Sequence, residues 1–144
     1  TGIARSSGER GGYPVVALDL LPELLPRVDV LVSILPATAE TDGVVDAGVL
    51  AALPAHALFV NVGRGAVVVE DDLRAALEQG TLRAAAIDVT RVEPLPAGDP
   101  LWTTPNLLIT PHVAGGRPRG AAALVLENLA AIEAGEPVRN RVER

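Results

Sequence analysis

The stretch Ala57-Leu58-Phe59-Val60-Asn61-Val62-Gly63-Arg64-Gly65 is an apolar run that ends at an arginine held between two glycines. Residues 57–62 read as a short buried parallel strand, because the run is apolar nearly throughout and rich in β-formers. Residues 69–79 then take helical spacing. Glu70, Asp71 and Asp72 fill the first turn, where the helix dipole favours negative charge. Leu73, Ala76 and Leu77 make an apolar stripe, and Gly80 follows as the residue that ends the helix. Residues 84–89 form a second apolar run. Strand, helix, strand in this order is a βαβ unit.

The same alternation extends in both directions. Residues 30–35 and 107–110 read as further strands, and residues 46–53 as a short helix with Asp46 as its N-cap. A last helix is expected from about Pro118 to Ala134, ending at Gly135. The fold class is therefore α/β, a doubly wound parallel sheet of Rossmann-like type with helices on both faces. Residues 6–14 read as a glycine-rich turn. Residues 93–105 form a long loop carrying Pro94, Pro96, Pro100 and Pro105, and a loop of that length in a compact domain is usually functional.

Bulk properties narrow the function. A length of 144 residues suits one domain or part of one, and 49% hydrophobic residues allow a sizeable core. The net charge of -6, with no cluster of Lys or Arg, argues against a nucleic-acid partner. No apolar run approaches the roughly 18–20 residues needed to cross a bilayer, and no signal-peptide pattern opens the chain, so a cytoplasmic protein is expected. Cysteine is absent, which excludes disulfides, thiolate metal sites and a cysteine nucleophile. No metal site is read in the sequence. The first residue is Thr1 and methionine is absent throughout, so a piece of a longer protein is expected.

Three charged residues stand just beyond strand ends, where ligands bind in open α/β sheets. His112 follows residues 107–110 and precedes Ala114-Gly115-Gly116; it reads either as a catalytic group or as a capping residue. Arg64 has room between its glycines to grip a carboxylate through two parallel hydrogen bonds. Glu93 follows the strand at 84–89. Singly, Arg64 and Glu93 also read as surface charges. Together, the three form a convergent set sufficient for carbonyl reduction: an anchor, a proton donor and a carboxylate that orients the donor. His56, in a loop before a strand, reads as solvated.

Five segments resemble, in order and spacing, the D-isomer-specific 2-hydroxyacid dehydrogenase family. They are Leu35-Pro36-Ala37-Thr38-Ala39-Glu40-Thr41, the stretch from Asn61 to Val68, the helix from Leu73 to Gly80, Ala86 to Pro96, and Pro105 to Gly115. The resemblance runs to about Val142. It implies an NAD(P)-dependent oxidoreductase that moves hydride between the nicotinamide and the C2 carbonyl of a small 2-oxo acid. It implies that Arg64 holds the substrate carboxylate and carbonyl oxygen, that His112 gives the oxygen a proton, and that Glu93 orients the imidazole and favours its protonated form. It implies that Asp88 faces the nicotinamide amide. Leu35, Pro36, Val62, Gly63 and Gly115 would line the cofactor with Arg64 and His112, and Asn61 would be structural.

The family's first strand, its G-x-G-x-x-G turn and the following helix have no counterpart here. Gly63-Arg64-Gly65 belongs to the arginine motif, and Val68 occupies the place of a third glycine. Residues 1–144 are thus expected to be a partial NAD(P)-binding domain, inactive alone, with residues 117–144 returning towards an absent substrate domain. The residues after the expected second strand are Arg5-Ser6-Ser7, without an acid until Glu9, which suits the 2′-phosphate of NADP better than the 2′-hydroxyl of NAD. A homodimer is expected from the family. Rival readings are an NAD(H)-sensing, co-repressor-like module of the same fold, a formate-oxidising branch that carries Gln where Glu93 stands, and a purely structural domain. Glyoxylate or hydroxypyruvate fits the NADP preference.

Overall fold

A computed structural model describes residues 1–116 and 119–141. It has two units, Thr1–Ala114 and Gly115–Arg144.

The first unit holds a parallel sheet of four strands, β4 (Val30–Ser33), β5 (Leu58–Asn61), β6 (Ala84–Ile87) and β7 (Leu107–Ile109), in that spatial order. The register aligns Val30 with Leu58 and Ala84, and Ile87 with both Asn61 and Ile109. Helix α2 (Ala47–Ala51) connects β4 to β5, and α3 (Glu70–Glu78) connects β5 to β6. Asp46 caps α2 as expected, its carboxylate accepting from the Val49 amide at 3.0 Å. Gly80 takes φ +69 after α3, the left-handed conformation that ends helices at low cost for glycine.

Burial alternates along β5 and β6. Phe59, Ala85 and Ile87 enter one core with Leu50, Leu73, Ala76 and Leu77 from the two helices, and with Leu25, Val67 and Leu82. Burying each large side chain contributes about 1.5–3 kcal/mol. Val30, Val32 and Leu108, of opposite parity, remain exposed.

Residues 6–14 are more than a turn. β2 (Gly8–Arg10) and β3 (Tyr13–Ala17) form an antiparallel hairpin, and β1 (Gly2–Ala4) lies parallel to β3 in a separate three-stranded sheet, β1-β3-β2. The loop residues Gly11 and Gly12 both have positive φ, 59 and 80, as a tight hairpin turn requires. A polar, glycine-rich stretch lacks the apolar alternation that would have marked strands. Among the described residues β1 pairs only with β3, and β4 only with β5, so each has one edge without a strand beside it.

A second feature without a strong pattern is residues 18–27. A 3-10 turn at Leu18–Leu20, the short α1 (Leu21–Leu24) and a 3-10 turn at Leu25–Arg27 follow one another. Pro22 and Pro26 lack the amide hydrogens of a continuous helix, which keeps the pieces short. Inside the loop at 93–105, a 3-10 turn at Pro100–Thr103 is capped by Asp99.

In the second unit, α4 (Ala121–Ala134) ends at Gly135 with φ 72. The expected start at Pro118 lies outside the described residues, as does Val142. No described helix is long and apolar enough to cross a membrane.

Candidate active site

The site assembles at the carboxyl ends of β4 to β7. Thr110 continues β7, its amide donating to the Ile87 carbonyl at 3.0 Å. The chain then turns sharply, and His112 has φ 54, a conformation rare for a residue with a side chain. Asp88, just past β6, holds that turn. Its carbonyl accepts from the His112 amide at 2.8 Å. Its carboxylate accepts from the Thr110 hydroxyl, from the Val113 amide at 2.9 Å and from the Ala114 amide at 2.8 Å. Asp88 is nearly fully buried, and these bonds, the Thr110 hydroxyl first, hold its carboxyl below the usual range.

The turn presents His112 to Glu93. Imidazole Nδ1 donates to Glu93 Oε2 at 2.7 Å, with both side chains partly exposed. The other oxygen of Glu93 accepts from the Thr90 amide at 3.1 Å. The Glu93 carboxyl is lowered, first by the bond from His112 and then by the Thr90 amide, against an opposing burial effect, with the charges of His112 and Arg64 adding to the fall. Glu93 is therefore a firm carboxylate. Nδ1 being engaged, Nε2 is the imidazole nitrogen that remains for a ligand.

Arg64 is exposed at the end of β5. Its guanidinium donates to the Gly63 carbonyl at 2.7 Å. Asn61, fully buried, shapes the turn beneath it: Oδ1 accepts from the Gly63 amide and Nδ2 donates to the Arg64 carbonyl, each at 3.1 Å. The expected structural part for Asn61 thus has a concrete geometry.

The two glycines around Arg64 are required by close packing. A Cβ on Gly63 would lie 2.6 Å from the Leu35 carbonyl oxygen and 2.8 Å from the Leu35 nitrogen. A Cβ on Gly65 would lie 2.0 Å from the Thr90 carbonyl carbon and 2.4 Å from the Arg91 nitrogen. The arginine turn is thus seated between the segment after β4 and the segment that leads to Glu93. Leu35 and Gly63 meet directly, and Val62 donates its amide to the Ser33 carbonyl at 3.0 Å. Pro36 anchors the next loop, its carbonyl accepting from the Thr41 hydroxyl at 2.6 Å.

Arg5, Ser6 and Ser7 stand elsewhere, exposed after β1 in the smaller sheet. Ser7 Oγ accepts from the Ala17 amide at 2.9 Å, and the charge of Arg5 acts on Glu40 in the loop after Pro36. Gly115 begins the second unit. His56 pairs with Asp29 at 2.9 Å, exposed, at the amino ends of β5 and β4 and so opposite the site. Sequence reasoning missed the hydroxyl of Thr110 and the clamping part of Asp88. The available signal was an acid at the end of an apolar strand, since a buried carboxylate must find donors.

Residues 6–114 match the family described as D-isomer specific 2-hydroxyacid dehydrogenase, NAD binding domain. The chain is 45% identical over 125 residues to a glyoxylate/hydroxypyruvate reductase A of Klebsiella pneumoniae, spanning 86% of this chain and 40% of that protein. It is similar to the structure of a D-isomer specific 2-hydroxyacid dehydrogenase from Xanthobacter autotrophicus in complex with NADPH and MES. There the TM-score is 0.86 at 46% identity, over 99% of this chain and 60% of the other. It is also similar to an NADPH-dependent glyoxylate/hydroxypyruvate reductase from Sinorhizobium meliloti in complex with NADP and sulfate, with TM-score 0.89 at 34% identity, over 99% of this chain and 47% of that one. The chain therefore spans about 40% of the length of the curated relative and 47–60% of the two solved ones. By the family match and by the fold that carries it, the chain belongs to the NAD-binding domains of the D-isomer specific 2-hydroxyacid dehydrogenases.

Proposed function

We propose that this chain is part of an NADPH-dependent reductase of small 2-oxo acids, of the glyoxylate and hydroxypyruvate class, and that the complete enzyme supplies a further domain for the substrate. The observation that carries the reading is the His112–Glu93 pair at 2.7 Å, set beyond the carboxyl ends of parallel strands, with the charge of Arg64 acting on Glu93. The residues fit a nicotinamide. Exposed Ile34 and Val62 give apolar surface at the ends of β4 and β5, and the close seating of Gly63 on Leu35 leaves a low backbone ledge between them. Leu35, Pro36, Val62 and Gly63 would line that ledge. Asp88 would serve it through the turn it holds.

A nicotinamide held there would supply hydride chemistry at the substrate C2 carbon. Arg64 holds the carboxylate of the 2-oxo acid and orients its carbonyl. His112 Nε2 delivers a proton to the carbonyl oxygen, and Glu93 stabilises the imidazolium that carries it. In the oxidative direction the neutral imidazole takes the proton back. Arg5 with Ser6 and Ser7 would meet the 2′-phosphate of NADP, in keeping with the NADPH and NADP held by the Xanthobacter and Sinorhizobium proteins. α4 would return towards the substrate domain of a cytoplasmic homodimer, as the family resemblance implies.

The test is oxidation of NADPH by the complete protein, followed by absorbance, with glyoxylate, hydroxypyruvate and pyruvate in turn. Turnover with at least one of them that is lost in His112→Gln supports the reading. Tight NADPH binding with no turnover of any would refute it in favour of a nucleotide-sensing module.

A further inference from the structure

Glu70 is the first residue of α3, beside Asp71 and Asp72. A helix-dipole role would be filled by any acid in that turn. Glu70 does something more specific. Its carboxylate leaves its own helix, and Oε1 accepts from the Arg91 amide at 2.6 Å, 21 residues away. The peptide that supplies this amide joins Thr90 to Arg91, the same peptide against which Gly65 is packed without room for a Cβ. The Arg91 side chain reinforces the contact, with Nη2 donating to the Ala66 carbonyl at 2.9 Å and pairing with Asp42 at 3.2 Å. One residue earlier, the Thr90 amide donates to Glu93 Oε1.

We infer that Glu70 is a positioning residue for the proton-donor pair: by holding the Arg91 amide it presses the Thr90–Arg91 peptide onto Gly65 and so fixes Glu93 relative to Arg64. The inference rests on the proposed reductase chemistry. The links are contiguous. Glu70 holds Arg91, the backbone carries this to Thr90, the Thr90 amide holds one oxygen of Glu93, and the other oxygen holds His112 at 2.7 Å. The arginine turn is registered to the same peptide through Gly65, so loosening it moves anchor and donor apart. Burial pushes the Glu70 carboxyl above the usual range, with the Arg91 amide opposing, and with Asp99 and Asp71 adding to the rise. A carboxyl kept half-buried near two other acids is costly as a mere surface charge, which fits a group retained for the bond it accepts.

The role depends on an acceptor at a set reach, which separates it from charge and from general stability. Three variants of the complete protein test it with NADPH and the best of the three 2-oxo acids. Glu70→Ala removes the acceptor. Glu70→Asp keeps the charge but is one methylene too short. Glu70→Gln loses the charge and keeps an oxygen in place. We expect Glu70→Ala and Glu70→Asp each to lower kcat about tenfold, with KM for NADPH within about twofold, while Glu70→Gln stays within about twofold of the unaltered enzyme. If Glu70→Ala fails to fold, the contrast between Glu70→Asp and Glu70→Gln decides the matter. Unaltered kcat in Glu70→Asp overturns the inference, and so does a Glu70→Gln loss as large as that of Glu70→Asp. Absence of turnover in the unaltered protein defeats the reductase reading itself, and with it this role.

Discussion

Replacing Gly65 by alanine puts one methyl group where the structure has none to spare. Its Cβ would stand 2.0 Å from the Thr90 carbonyl carbon, 2.1 Å from the Thr90 oxygen and 2.4 Å from the Arg91 nitrogen, whereas ordinary contact begins at 3.4 Å. All three atoms belong to one backbone peptide, so no flexible side chain can give way. Restoring contact distance requires a separation of about 1.4 Å between the arginine turn and the segment bearing Glu93. The Thr90–Arg91 peptide is held by Glu70 and Arg91, which resist that movement. Forced overpacking of this kind costs about 1–3 kcal/mol. For a domain of this size that is about 3–10 °C in Tm. The chemistry should suffer more than the fold, since misplacing reacting groups by about 1 Å can cost about 100-fold in rate. Gly65→Ala is therefore expected to lose about 100-fold in kcat/KM for the 2-oxo acid while remaining folded. Steady-state NADPH oxidation and a thermal melt measure the two quantities. Gly63→Ala is the control, because its Cβ would press on Leu35 at 2.6 Å, on the side proposed for the cofactor. It should raise KM for NADPH before it lowers kcat. A Gly65→Ala enzyme with native kcat/KM would show that the seating of the two loops does not set the geometry of reaction.

Arg64→Lys keeps the charge but not the fork; KM for the 2-oxo acid should rise at least about tenfold with KM for NADPH little changed, as initial-rate kinetics will show. Arg5→Asp should move the ratio of kcat/KM for NADPH over NADH towards NADH, and an unchanged ratio would remove Arg5 from the cofactor site. Stability should fall in acid on account of Glu93 and Asp88. Their carboxyls are lowered in the folded protein, so the stabilisation is complete above the ordinary carboxylate range of about 3.9–4.3 and is lost as pH falls through the lowered values. Glu70 works the other way: its carboxyl is raised, so the folded state loses stability as pH rises from the ordinary value through the raised one. Urea midpoints measured across that range should show a flatter acid limb in Glu93→Gln, and in Glu70→Gln the loss of the decline attributed to Glu70.

The parallel core was legible because its signal is hydrophobic. Four apolar runs, separated by the acid-led helix at α3 and the Asp46-capped α2, could hardly fold otherwise, and only their ends were overestimated. Residues 30–35 shorten to Val30–Ser33 and residues 84–89 to Ala84–Ile87, because the remaining positions bend away to form the site. Less legible were segments where glycine and proline decide the path. The hairpin around Gly11 and Gly12 is made by backbone conformations that leave no side-chain pattern, and the turns at residues 18–27 are set by Pro22 and Pro26. Within the site, the charges of Arg64, Glu93 and His112 stood out at strand ends. The bonds that aim them did not, since Asp88, Thr110 and Glu70 act through backbone amides and hydroxyls far away in sequence.

The left-handed backbone at His112 carries a further consequence. A side chain in that conformation costs on the order of 1 kcal/mol, and hydrogen bonds to Asp88 from within the chain sustain it. The imidazole is therefore pointed by the main chain and by Glu93. The orientation of that side chain is thus settled when the polypeptide folds, since every bond that sets it is internal.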